Sequence, residues 1–211
     1  MTATAIATAA RALRHANDHW RRVLPLLVAL CLWPLFAAPR AQAAPLPGDS
    51  VYQLQAPLVD QAGKASTLAD GRGQVRVVSM FYTSCKFVCP LIIDTLRKTE
   101  RELDPASRDR LRVLLVSLDP ARDTPQALAQ LASQRKVDTT RWTLARTDAS
   151  HVRRLAAVLG IQYKQLADGE FSHSTSLVLL DGEGRILART DRLGEADETF
   201  VAALREALTG P

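Results

Sequence analysis

Cys85 and Cys89 stand four residues apart in "FYTSCKFVCPLI", residues 81–92 of a 211-residue chain with only three cysteines. A thiol pair at that spacing can close as a structural disulfide, cycle between dithiol and disulfide, or grip a soft metal ion. The apolar, β-branched run "QVRVVSMFYT" (74–83) leads into the pair and Pro90 follows it. This is the pattern of a buried strand feeding a helix whose first turn tolerates proline. A helix N-terminus carries partial positive charge and free N–H groups, so the pattern predicts thiols biased toward thiolate, with Lys86 adding a nearby cation. On a helix, residues i and i+4 share a face, and their Cα separation of about 6 Å lies within disulfide reach. Two cysteines do not fill a tetrahedral zinc site, and no C-x-x-C pair elsewhere in the chain accompanies them. Copper can accept three ligands or fewer.

A further ligand has to come from the four histidines. His15 and His19 lie in the N-terminal segment. His151, in "DASHVRRLAAVLG", falls on the first, solvated turn of a helix. His173, in "GEFSHSTSLVLL", falls in a loop just before a buried strand, where a loop can lean over a sheet edge toward a helix start. On position alone, a ligand role for His173 stands level with an ordinary surface or hydrogen-bonded histidine.

Several elements must position these groups. "VYQLQAPLVDQAGKASTL" (51–68) reads as two short strands around the turn Asp60–Gly63. From Pro90, a helical face runs through Leu91, Ile92, Thr95, Leu96 and Leu103. Leu111–Leu118 is a second buried strand, and Thr124 caps a helix from Pro125 to about Arg135. Arg141–Thr147 reads as a strand, and the following helix closes at Gly160. "HSTSLVLLDGEGRILART" is a hairpin turning at Asp181–Gly184, and "GEADETFVAALREAL" is a closing amphipathic helix. Strands alternating with helices and ending in a hairpin predict an α/β fold with a mixed sheet.

The N-terminus has a different character. Arg21 and Arg22 precede the apolar stretch Val23–Ala38, and "AQAA" follows with Ala41 and Ala43 at small-residue positions. That is an export signal, with cleavage expected after Ala43. The competing reading is a retained membrane anchor, although the stretch is shorter than the roughly 20 residues of a typical span. Cys31 sits within this stretch, so cleavage leaves Cys85 and Cys89 as the sole thiols, in an oxidising compartment. The expected organisation is residues 1–43 as signal or anchor, 44–50 as a Pro/Gly linker and 51–211 as the folded domain. Membrane association would come only through the first segment. Of the net charge of +5, residues 1–43 carry five arginines against one aspartate, which leaves the remainder near neutral. Such a body gives no support to a basic nucleic-acid surface, which needs cations clustered on the folded domain.

Three stretches together resemble the Sco/SenC family, copper-delivery factors for cytochrome c oxidase. "FYTSCKFVCP" is similar to the family's F-x-Y-T-x-C-x-x-x-C-P stretch. "VSLDPARDTP" (116–125) resembles its S-V-D-P-x-x-D-T-P block through Ser117, Asp119, Pro120, Asp123, Thr124 and Pro125. "HSTSLVLLDGEGRIL" resembles its histidine-containing segment. The resemblance spans roughly residues 46–208. It implies a thioredoxin-like fold with an N-terminal β-hairpin extension and copper, as Cu(I) or Cu(II), bound by Cys85, Cys89 and His173. It further implies a periplasmic or inner-membrane-anchored protein whose partners are a copper-accepting oxidase subunit or other copper protein and a thiol reductant. Asp119 and Asp123 are expected either to stand behind the ligands or only to build a turn and cap a helix. Two departures remove negative charge near the site. Lys86 and Phe87 stand where the family commonly has Pro-Asp, and Ser172 stands where an aspartate often precedes the histidine.

The main rival is a thiol–disulfide oxidoreductase that uses Cys85 and Cys89 as a redox pair on a partner's cysteines, a function that can coexist with copper binding. Thioredoxin-like redox proteins mostly use C-x-x-C and carry a proline in the loop facing it. Here the spacing is C-x-x-x-C, and "FSHSTS" has a histidine and no proline. A peroxiredoxin signature fails, because Cys85 follows Thr83 by two and Val78 occupies the proline position. A purely structural disulfide would close so small a loop that it contributes little chain entropy.

Overall fold

The computed structural model describes residues 44–85 and 88–210. The export segment, with His15, His19 and Cys31, and the positions Lys86 and Phe87 lie outside the described residues. From Pro45 onward the chain builds nine strands and five helices among the described residues: β1 (Pro57–Asp60), β2 (Ala65–Thr67), β3 (Arg76–Phe81), α1 (Val88–Arg101), α2 (Pro105–Arg110), β4 (Arg112–Ser117), α3 (Pro125–Gln134), β5 (Trp142–Arg146), α4 (Ala149–Leu159), β6 (Tyr163–Gln165), β7 (Phe171–His173), β8 (Leu177–Leu180), β9 (Ile186–Thr190) and α5 (Glu198–Thr209). Seven strands form one mixed sheet in the order β2-β1-β5-β4-β3-β8-β9, and β6 and β7 form a separate ribbon.

The centre of the sheet is the parallel trio β3, β4 and β5. β3 and β4 are buried along nearly their whole length, as strands covered on both faces must be. The N-terminal hairpin β1–β2, turning at Asp60–Gly63, adds to this sheet by antiparallel pairing of β1 with β5. β8 runs antiparallel to β3, with Val77 opposite Leu179 and Val78 opposite Val178. The start of β8 therefore lies beside the end of β3, and the Ser79 hydroxyl donates to the Ser176 carbonyl at 2.9 Å. The segment that carries His173 is thus delivered to the end of the sheet where the cysteine segment leaves.

Local signals set most boundaries. Thr124 caps α3, accepting from the Ala127 N–H, and Pro125 occupies its first turn. Asp148 caps α4, which ends at Gly160 in the left-handed conformation at φ 67°. α1 buries Ile92, Ile93, Leu96 and Thr99. At the far end of α1, Glu100 accepts from Arg141 Nη1 at 2.7 Å and from Trp142 Nε1 at 2.8 Å, which fixes the helix to β5.

Three elements differ from the sequence expectation. Val51–Leu54 is a single 3-10 turn rather than strand, capped by Ser50. The helix from the cysteines starts at Val88 and ends at Arg101, and Leu103 lies beyond it, because Asp104 and Pro105 cap and open the separate helix α2. His173 ends strand β7 rather than lying in a loop, since Tyr163–Gln165 pairs with Phe171–His173. The other expected strands and helices form within a few residues of their predicted limits.

Candidate functional site

β3 ends at Phe81 and the chain turns, with the Cys85 N–H donating to the Tyr82 carbonyl at 3.4 Å. Cys85 is half-buried at the end of this turn, and Cys89, in the first turn of α1, is 3% exposed. Two backbone bonds draw the sulfurs together. The Cys89 N–H donates to Cys85 Sγ at 3.3 Å, and the Tyr82 N–H donates to Cys89 Sγ at 3.4 Å. Cys85 lies ahead of the described helix, so the pair meets by this bonding pattern and not as neighbours on one helical face.

The expected thiolate bias also fails at Cys89. Its hydrogen bond with Cys85 and then its burial push its thiol well above the usual range, and the Tyr82 N–H opposes them only in part. Two packed sulfurs cannot both carry charge in a desolvated site unless a cation joins them.

His173 faces the same site from the ribbon. Its Nδ1 lies 2.9 Å from the Ser174 carbonyl oxygen, a contact that requires an N–H at Nδ1. The lone pair is then left on Nε2, which is buried and has no hydrogen-bond partner. The ring stands edge-on to Tyr82, with centroids 5.8 Å apart. A cavity of about 550 Å³ is lined by Cys85 and His173, with Tyr82, Val88, Leu166 and Phe171. Among the described residues, no three His, Cys, Asp or Glu side chains converge closely enough to hold a metal ion. The fold therefore joins Cys85 to Cys89 and sets His173 on the cavity of Cys85, but it does not close the three donors into one group.

His151 has a different role. It is half-buried rather than solvated, with Nδ1 2.5 Å from Asp148 Oδ2 and Nε2 2.8 Å from Arg154 Nη2. Both ring nitrogens are engaged, Nδ1 because Asp148, the cap of α4, sits three residues before it and Nε2 because Arg154 sits three residues after it. Bonds from Ser150 and His151 hold the Asp148 carboxyl below the usual range.

The loop after β4 fixes both halves of the site. Buried Asp123 accepts from the Thr83 N–H at 3.1 Å, from the Thr83 hydroxyl, and from the Ser117 hydroxyl at 2.5 Å. It thereby ties the cysteine turn to the end of β4, while Thr124 does the capping. Asp119 pairs with Arg122, which donates to the Gly169 carbonyl at 2.6 Å and to Glu170 at 3.3 Å, at the tip of the histidine ribbon. The Tyr82 hydroxyl makes a second tie to the ribbon, donating to the Phe171 carbonyl at 3.2 Å. Sequence reasoning missed Arg122, Glu170 and Phe171. The available signal was Arg122 between two aspartates, together with an acidic residue and an aromatic just ahead of the histidine.

The family model described as SCO1/SenC matches residues 49–209. This chain belongs to the SCO1/SenC family. Within the family's reach, a Stutzerimonas stutzeri protein named for copper binding is 28% identical over 177 residues, 79% of this chain and 84% of that protein. The SCO1 protein homolog of Bacillus subtilis is 24% identical over 131 residues, 61% of this chain and 67% of that protein. Among solved structures, Bradyrhizobium japonicum ScoI with copper bound superposes with a TM-score of 0.61 at 24% identity, covering 72% of this chain and 96% of that one. Yeast Sco1 with copper bound gives 0.62 at 20% identity, covering 74% and 87%. The mixed sheet with flanking helices is the thioredoxin-like fold of these SCO1/SenC relatives.

Asp123 generates a prediction. Burial raises its carboxyl above the ordinary value, and the hydrogen bonds from Ser117 and Thr83 offset this only in part. The native state therefore holds this proton more tightly than the unfolded chain does. The stability from this group is full below the ordinary carboxylate value near 4 and is lost as pH rises through the higher native value. Asp123→Ala should lower stability by about 1–3 kcal/mol, because three donors lose their acceptor. It should also lack that decline in urea unfolding across roughly pH 3 to 8. A pH profile parallel to that of the unaltered protein would contradict this.

Proposed function

We propose that this chain is an exported copper metallochaperone for cytochrome c oxidase assembly, holding copper as cargo between Cys85, Cys89 and His173. The observation that carries the reading is the buried Nε2 of His173, which has no hydrogen-bond partner, in a residue that lines the same cavity as Cys85. A buried polar atom without a partner is costly, and a metal ion supplies the missing partner. Two sulfurs and one imidazole nitrogen form a donor set suited to copper: the thiolates favour Cu(I), and the nitrogen favours Cu(II). Further support comes from the relatives: one is named for copper binding, three solved structures hold copper, and another is titled a member of a family of cytochrome c oxidase assembly proteins.

In this reading the chain's own groups do the following work. Copper entry displaces the thiol protons, so affinity rises with pH. The Tyr82 and Cys89 N–H groups hold the sulfurs in place. The Ser174 carbonyl keeps the proton on Nδ1 and leaves Nε2 free to bind. Transfer to an oxidase subunit or other copper protein is ligand exchange at Cys85, the more exposed sulfur. A second reading, reduction of a partner's cysteines, rests on the approach of the two sulfurs. The dithiol would close to a disulfide and pass two electrons and two protons to the partner. A relative's structure is titled for a disulfide switch.

Export is part of the proposal. No helix among the described residues is long and apolar enough to cross a membrane, so residues 1–43 would carry targeting or anchorage. Intact mass of protein from the exported fraction should begin at Ala44. A membrane-bound chain that retains its N-terminus would instead establish the anchor.

For the metal, competition with a Cu(I) chelator should show one Cu(I) per reduced protein and its loss in Cys85→Ser and Cys89→Ser. His173→Ala should weaken Cu(II) by about tenfold or more, with little change in Cu(I), and alter the sulfur-to-copper charge-transfer band. Full copper retention in both cysteine variants would overturn the metal reading. Disulfide turnover by a protein that binds no copper would establish the oxidoreductase.

A further inference from the structure

We propose that Arg122 is a positioning residue that clasps the histidine ribbon over the dithiol and so decides whether His173 is available to the site. This rests on the copper reading above and extends it to a residue outside the donor set.

The geometry is that of a clasp between three chain segments. Arg122 Nε pairs with Asp119, whose side chain is 6% exposed. The Asp119 N–H in turn donates to Ser117 Oγ at 2.9 Å, at the end of β4. The base of the clasp is therefore anchored in the parallel sheet. From that base the guanidinium reaches the turn between β6 and β7, donating through Nη2 to the Gly169 carbonyl at 2.6 Å and through Nη1 to Glu170 at 3.3 Å. The Glu170 carboxylate also lies within 3.5 Å of the Ser84 hydroxyl, next to Cys85. One planar cation thus spans the loop after β4, the tip of the ribbon and, through Glu170, the cysteine turn. A guanidinium is suited to this because its donors are fixed in one fork.

The ribbon depends on such ties. β6 and β7 pair only with each other among the described strands, and β7 ends at His173. The Tyr82 hydroxyl holds the ribbon at Phe171, and the clasp holds its turn at Gly169 and Glu170. An exposed ion pair contributes little to stability. A small bias is enough to shift a two-stranded element between positions, because such ribbons are only marginally stable alone.

The test uses purified protein with Arg122→Gln, Arg122→Lys and His173→Ala, singly and with Arg122→Gln and His173→Ala combined. In the metal-free protein, hydrogen exchange over residues 163–173 should quicken about fivefold in Arg122→Gln, with β3 and β4 unchanged. With copper, Arg122→Gln should weaken Cu(II) about fivefold and move the charge-transfer band toward that of His173→Ala, leaving Cu(I) affinity intact. Arg122→Lys, which keeps the charge and loses the fork, should fall between. In the His173→Ala background, Arg122→Gln should have no further effect on Cu(II). Unaltered exchange and an unaltered Cu(II) band in Arg122→Gln would overturn the proposal, as would an equal loss of Cu(II) with and without His173. Wild-type protein that binds no copper would remove the copper reading, while the exchange measurement on metal-free protein would still decide whether Arg122 holds the ribbon.

Discussion

The site depends on the antiparallel pairing of β8 with β3. β3 runs out into the cysteine turn, and β8 begins beside that exit because it runs the other way. Had β8 paired parallel to β3, the segment before it would arrive at the opposite end of the sheet, and His173 would lie a strand length from Cys85. The pairing itself rests on apolar burial: Val77, Val78, Val178 and Leu179 are completely buried. Full burial of such side chains is worth roughly 1.5–3 kcal/mol each against exposure. The hydrophobic core thus fixes which chain ends meet, and polar chemistry is added at that junction.

At the junction, short polar ties take over. Asp123 secures the cysteine turn and Arg122 and Tyr82 reach the histidine ribbon, so three side chains reduce the freedom of segments that lie outside the main sheet. Under the proposed copper reading, the candidate donor atoms are held in forms suited to a metal without being closed around one. Cys89 is favoured as a thiol by its sulfur neighbour and by burial, and the Ser174 carbonyl leaves the lone pair of His173 on Nε2. A cation that enters would replace a proton on sulfur and give that nitrogen a partner.

Much of the fold was legible in the sequence because its strands and caps are local signals. The buried runs of β3 and β4, Thr124 before Pro125, and Gly160 after an amphipathic helix each specify their element within a few residues. The ribbon β6–β7 was not legible. Its strands have three residues each and a mixed burial pattern, too short for an alternation to stand out. Asp104 and Pro105, a cap and helix opener, were overlooked because Leu103 fitted the phase of the preceding helix. At the candidate site, residue type and motif singled out Cys85, Cys89 and His173; the structure packs Cys89 against Cys85 and sets His173 on the cavity of Cys85. The links made by Arg122, Glu170 and Phe171 were not, because each joins segments about 50 to 90 residues apart, and no local periodicity records such a contact. The thiolate expectation failed for a related reason: a helix-start argument sees backbone charge but not the second sulfur packed against the first.

In the proposed function, copper is held by two sulfurs and one histidine nitrogen. X-ray absorption at the copper edge of the copper-loaded protein tests it most directly. Two sulfur scatterers are expected for Cu(I), and for Cu(II) two sulfurs with an imidazole nitrogen that disappears in His173→Ala. A first shell of nitrogen and oxygen alone, or an imidazole contribution that survives in His173→Ala, would contradict it.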